Sequence, residues 1–202
     1  MIAFPQDTLL VATHNRGKLE EITDLLQPYP VAVRSAADFG LPEPVETEDS
    51  FVGNARLKAH AAARATGLVA LADDSGLCVD ALDGAPGVHT ADWATTPQGR
   101  DFGKAMTKVW DAMEALAAPA PRRAQFRCTL VLAWPDGRDL VFEGVMSGQL
   151  IWPIRGELGH GFDPMFQPDG YAVTCGEMDR WEKNRISHRG RAFAKFVEVC
   201  FT

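Results

Sequence analysis

The chain has 202 residues, enough for one domain with a sizeable core, and its 46% hydrophobic and 23% charged residues exclude a disordered or fibrous class. Lys plus Arg number 20 against 27 for Asp plus Glu, and the net charge of −7 argues against non-specific binding to a nucleic-acid backbone. The opening MIAFPQDTLLVATHN has no basic leader with a cleavable apolar segment, no apolar run is long enough to span a bilayer, and Cys78, Cys128, Cys175 and Cys200 form no C-x-x-C pair, so the expected setting is the reducing cytoplasm with no membrane partner.

In chain order, TLLVAT (Thr8 to Thr13) reads as a short buried strand, followed by a helix with Leu19, Ile22, Leu25 and Leu26 on one stripe that stops at QPYP. VAVRS reads as a second strand, DFGLPEPVETEDS as irregular chain, and FVGNARLKAHAAARATG as a helix ending at Gly67. The stretch LVALADDSGLCVDA (Leu68 to Ala81) begins as a buried strand, and the strand is expected to end at its two acids. Beyond the turn DGAPG, Phe102, Met106, Val109, Met113 and Leu116 mark a helix that stops at PAP. AQFRCTLVLAW, PDG and RDLVFEGVMSG form a hairpin, GELGHGFDPMFQPDG is a long glycine-rich loop, and Phe193, Phe196, Val197 and Cys200 place a closing helix.

Five stretches have residue types suited to chemistry. THNRGK, Thr13 to Lys18, sits at a helix start, where free N–H groups, the dipole and the Lys18 charge attract an anion; the plain alternative is Asn15 capping a helix with Lys18 solvated. Adjacent strand residues point to opposite faces, so of Asp73 and Asp74 one faces the site while the other caps or pairs nearby; the alternative is that DDSG is only a turn. A hard divalent cation such as magnesium takes one or two carboxylates, with waters and phosphates completing its shell. ETEDSF, Glu46 to Phe51, offers a second ligand beside a helix that Asp49 or Ser50 caps. GHGFDPMFQPDG brings flexible glycines and the rings of His160, Phe162 and Phe166, while EKNRISHRGR concentrates Lys183, Arg185, His188, Arg189 and Arg191; a surface loop and an exposed basic helix end are the plain alternatives.

In this order, ATHNRGKLEEI, ETEDSFVGNARLKA, ADDSGLCVDALDGAPG, GFDPMFQPDG and EKNRISHRGRA resemble the inosine/xanthosine triphosphate pyrophosphatase family, from near Leu10 to near Lys195. The resemblance implies one α/β domain over residues 1–202, with a long twisted mixed β-sheet and flanking helices forming two lobes around a central cleft, assembled as a homodimer. It implies magnesium-dependent hydrolysis of deaminated purine nucleoside triphosphates (ITP, dITP, XTP) to the monophosphate and pyrophosphate. By position, Thr13, His14, Asn15, Arg16, Gly17 and Lys18 hold the triphosphate, Glu46 and Asp74 face the metal, and Asp74 is also the proton acceptor. Ser75 contacts substrate, His160, Gly161, Phe162 and Asp163 lie against the nucleoside, and Lys183, His188 and Arg189 reach the base. A nucleotide-binding module with little hydrolysis and a pyrophosphatase for other modified nucleotides are the alternative readings. Three positions depart from the family pattern: Gly53 where an acid is common, His160 in GHGFDP where an aromatic is common, and His14 in THN where the pattern reads TGN.

Overall fold

The computed structural model describes residues 7–201. Strand β1 (Thr8–Val11) leads to helix α1 (Arg16–Leu26), where the Asn15 side chain accepts from the Lys18 N–H at 3.2 Å and caps the first turn. Strand β2 (Ala32–Ser35) follows, then helix α2 (Phe51–Thr66), capped by Ser50 and closed by Gly67 at φ 71°, a left-handed conformation that glycine adopts without strain. Strand β3 (Ala70–Val79) continues through Asp73, Asp74, Ser75 and Gly76, so the expected strand end at the two acids is absent. In the sheet β3 lies between β1, which it pairs through Ala70 and Leu71, and β6.

The short strands β4 (Thr95–Thr96) and β5 (Gly99–Arg100) form a ribbon before helix α3 (Phe102–Ala115). Strands β6 (Arg123–Ala133) and β7 (Asp139–Leu150) form the anticipated hairpin, and the glycine-rich loop contains a further strand, β8 (Phe166–Pro168), antiparallel to β7. Helix α4 (Arg180–Ile186), which the sequence patterns did not reveal, and helix α5 (His188–Cys200) complete the chain. The six-stranded sheet has the order β2-β1-β3-β6-β7-β8 and is mixed: β1 is parallel to β2 and β3, whereas β7 and β8 are antiparallel.

The chain divides into two compact units, with β3, β6 and β7 passing from one to the other. The first contains the chain through Asp74, Cys128–Gly144 and the chain from Arg189 onward; the second contains Ser75–Arg127 and Val145–His188. In the first, strand alternation sends Leu9, Val11, Val69 and Leu71 to a face covered by α1 and α5, through Ile22, Leu26, Phe193 and Phe196. Leu10, Ala12, Ala70 and Ala72 go to the opposite face, covered by Ala55, Ala59, Ala62 and Ala63 of α2. Small side chains on both sides bring α2 close to the strands. The second unit packs α3, through Met106, Val109 and Met113, with Leu77, Val79, Phe126, Phe162 and Phe166.

One polar clamp ties α2 to the hairpin of the first unit. Asp139 accepts from His60 at 2.9 Å and from Arg56 at 3.1 and 3.2 Å. Burial alone would raise its carboxyl, but the His60 and Arg56 hydrogen bonds outweigh burial and hold it below the usual range. A lowered acid contributes its full stability above the ordinary carboxylate value of about 3.9 and loses it as the pH falls through the folded value. Asp139→Asn should therefore lower stability to urea by about 1–2 kcal/mol at pH 7, with the difference from the wild type closing as the pH falls through the lowered folded-state value.

Candidate active site

The alternation of β3 separates the two acids. Asp73 follows Val69 and Leu71 to the face of α1 and α5, and Asp74 follows Ala70 and Ala72 to the face of α2. Asp73 is 2% exposed and pairs with the Lys18 ammonium of α1. Its Oδ2 accepts from Nε and Nη2 of Arg189 at 3.3 and 3.2 Å and from the Cys128 thiol at 3.1 Å. Arg189 also pairs with Glu21. Burial would raise the Asp73 carboxyl, but Arg189 and then Lys18 outweigh it and hold the group far below the usual carboxylate range. Burial, with Asp73 beside it, pushes the Cys128 thiol well up, so it remains an S–H donor.

On the other face, one ammonium joins two carboxylates. Lys58 Nζ donates to Glu46 Oε1 at 2.6 Å and to Asp74 Oδ1 at 3.1 Å. Burial works against the charged lysine, but Asp74 and Asp73 outweigh it and raise its pKa. Asp74 is raised as well: burial dominates over the opposing pull of Lys58 and Lys18. Its Oδ2 is buried without a hydrogen-bond partner. Glu46 belongs to an irregular segment, 41–50, that Asn54 fastens, accepting from the Glu48 N–H at 3.0 Å and donating to the Glu48 carbonyl at 3.1 Å. At the Gly53 departure, an added Cβ would lie 2.6 Å from the Glu48 Cβ, so the Glu48 stem fills the place of a residue-53 side chain.

The remaining residues of THNRGK line the turn before α1. The Thr13 hydroxyl accepts from the Asn15 N–H, His14 contacts the Leu41 carbonyl, exposed Arg16 pairs with Glu20, and Gly17 lies in the first turn. Lys18, expected to hold the triphosphate, pairs with Asp73, with 21% of its side chain exposed.

The second unit gathers its own polar group. Lys183 donates to Asp163 Oδ2 at 2.6 Å, and the same oxygen accepts from the His160 N–H at 2.6 Å. A Cβ at Gly159 would stand 2.1 Å from that oxygen, which explains the glycine at φ 78°. His160 is exposed and Gly161 lies at φ 67° beside it, while His188 stacks on Phe126 with centroids 5.0 Å apart. Phe162, read from sequence as a ring for base stacking, is 1% exposed and packs edge-to-face on Phe102, so its faces are used in the core. Ser75 is the first residue of this unit, on β3.

The basic segment is divided: Lys183, His188 and Arg189 are 7%, 7% and 6% exposed, whereas Arg185 and Arg191 are at the surface. The Arg189 guanidinium, expected at the base and its neighbourhood, is directed to Asp73 and Glu21. Lys58, Asn54 and Glu21 were missed. The available signal was periodicity: Lys58 lies on the helical stripe of Ala55, Ala59 and Ala62, and Arg189 on that of Ala192, Phe193 and Phe196, so both are charges on buried faces.

The model of the Ham1 family matches residues 9–199. The chain is 71% identical to the dITP/XTP pyrophosphatase of Ruegeria pomeroyi over 98% of each chain. It is 52% identical to the dITP/XTP pyrophosphatase of Agrobacterium fabrum, over 96% of this chain and 95% of that one. Its fold matches the solved HAM1 protein of Coxiella burnetii with TM-score 0.88 and 36% identity, over 96% of this chain and 98% of that chain. The nucleoside-triphosphatase / dITP/XTP pyrophosphatase of Mycobacterium abscessus matches with TM-score 0.77 and 36% identity, over 94% of this chain and 98% of that chain.

Removing one partner of a buried ion pair leaves the other charge uncompensated. Arg189→Met should therefore lower folding stability by about 3–5 kcal/mol, read as a shift of the urea midpoint.

Proposed function

This chain belongs to the Ham1 family, and from that premise we propose that it hydrolyses deaminated purine nucleoside triphosphates, ITP, dITP and XTP, to the monophosphate and pyrophosphate, with Asp74 as the proton acceptor. The observation that carries the assignment of Asp74 is its buried, unpartnered Oδ2 beside Glu46 and Lys58. Burial raises its proton affinity, as a general base requires.

Magnesium fits these residues. Glu46 and Asp74 are hard oxygen donors already close enough to share one ammonium, and Asp74 retains an unused oxygen. Among the described residues no group of three or more His, Cys, Asp or Glu gathers around a metal-sized site, so phosphate oxygens and water would complete the shell. The charges point the same way: Lys18, Lys58 and Arg189 face Glu21, Asp73, Asp74 and Glu46, three cations against four carboxylates. A triphosphate needs further positive charge there. When bound, the ion would neutralise phosphate oxygens and stabilise charge on the leaving pyrophosphate.

The protein groups have distinct tasks in this reading. Asp74 takes a proton from a water whose oxygen bonds to the α-phosphorus, while the bond from that phosphorus to the oxygen bridging to the β-phosphorus breaks and pyrophosphate leaves. The N-terminus of α1, with Lys18 and Lys58, holds phosphate oxygens; Lys18 leaves Asp73 to do so, and Arg189 keeps Asp73 ionised and in place. On the nucleoside side, His160, the Gly161 backbone, Lys183 and His188 are the assigned contacts, and Asp163 acts through the two groups it holds. Donors here donate to the oxygen at C6 of hypoxanthine or xanthine and oppose the amino group of adenine.

The same proposal includes assembly as a homodimer and a cytoplasmic setting. No helix among the described residues is long and apolar enough to cross a membrane, and the four cysteines are free thiols.

Pyrophosphate release should be fast from ITP, dITP and XTP, slow from GTP and ATP, and dependent on magnesium; equal rates on all five nucleotides would overturn the assigned selectivity. Asp74→Asn should stay folded, because Glu46 still pairs with Lys58, and lose about 10²–10⁴ in turnover. Reaction in ¹⁸O-water should place the label in the monophosphate, and label in pyrophosphate would exclude attack at the α-phosphorus.

A further inference from the structure

A histidine occupies the turn between β1 and α1, and its Nε2 lies 2.8 Å from the carbonyl oxygen of Leu41. A carbonyl only accepts, so this nitrogen carries the proton and donates. Leu41 begins the irregular segment that carries Glu46, and two other contacts also fix it: its N–H donates to the Ala36 carbonyl at 3.1 Å, and its side chain packs on the alanine-lined cluster under α2. The chain from there to Glu46 is Leu41-Pro42-Glu43-Pro44-Val45-Glu46. Each proline fixes its own φ and restricts the residue before it, so this stretch is a stiff arm, and a shift at Leu41 carries through to Glu46. Beyond Glu46, Asn54 pins Glu48 through both backbone groups. The segment has no helix or strand of its own, so these fastenings place its backbone, and the Lys58 ammonium meets the Glu46 carboxylate that the backbone presents.

We propose that His14 is a positioning residue that couples the phosphate-binding turn to the metal-facing arm, holding Glu46 beside Asp74 before nucleotide or metal arrives. This rests on the assignment of Glu46 as a metal-facing carboxylate. The side chain that replaces glycine in the first motif is thus directed onto the protein's own backbone, and the two halves of the phosphate site move together.

Hydrogen–deuterium exchange at Glu43, Val45, Glu46 and Thr47 in nucleotide-free, metal-free protein, together with magnesium titration of pyrophosphate release from ITP, tests this in the wild type, His14→Ala and His14→Gln. His14→Ala should exchange faster across these amides and need about two- to tenfold more magnesium for half-maximal release, the effect of one hydrogen bond on an equilibrium. His14→Gln, whose amide N–H reaches about as far, should restore both. Unchanged exchange in His14→Ala, an unchanged magnesium requirement despite faster exchange, or a Gln variant indistinguishable from Ala would each overturn the proposal. A wild-type protein that released no pyrophosphate would instead defeat the functional assignment, while the exchange comparison, needing no substrate, would still decide whether His14 holds the arm.

Discussion

Adjacent residues on a strand face opposite ways, and β3 runs unbroken through both acids, so Asp73 and Asp74 are committed to different sides of one sheet. The buried cations of the first unit are arranged around that separation. Lys18 and Arg189 come from the helices on one side, and Lys58 comes from the helix on the other. Asp73 is paired on its side, whereas Asp74 keeps one buried oxygen without a hydrogen-bond partner.

The first side compensates a cost. A carboxylate in a low-dielectric interior is unfavourable unless paired and hydrogen-bonded, and Asp73 has two cations and a thiol. Such an arrangement adds little net stability over an apolar core, but it makes the position of Lys18 dependent on α5, far along the chain. The Asp74 side is left incomplete, with one ammonium shared between two carboxylates and one oxygen unused. In the proposed function, substrate and ion supply the missing partners.

Packing explains why the second side can be built at all. The alanines of α2 allow the helix to approach β3 closely enough for Lys58 to reach Asp74 while its stem crosses the apolar layer. Glu46 arrives by a different route, on irregular chain whose backbone is fastened by side chains. Phe162 shows the converse: a ring that looked suited to a base fills the core of the second unit, and its glycine and histidine neighbours remain at the surface.

The order of the motifs, the strand and helix at THNRGK, the Ser50 and Gly67 caps, the hairpin and the closing helix were all legible in the sequence, because each depends on local periodicity, capping or turn chemistry. The opposed directions of Asp73 and Asp74 were legible for the same reason, since the alternation of a strand is local. Which cation meets which acid was not legible. Lys18, Lys58 and Arg189 lie far from Asp73 and Asp74 in sequence, and only the packing of α1, α2 and α5 on the sheet brings them within hydrogen-bond reach. The persistence of β3 through DDSG was likewise decided by its place in the sheet, because turn propensity is a local signal that tertiary context overrides. The sequence by itself determined the elements and the faces their residues occupy; the tertiary structure decided the partners, because pairing energies depend on distances that only the folded chain sets.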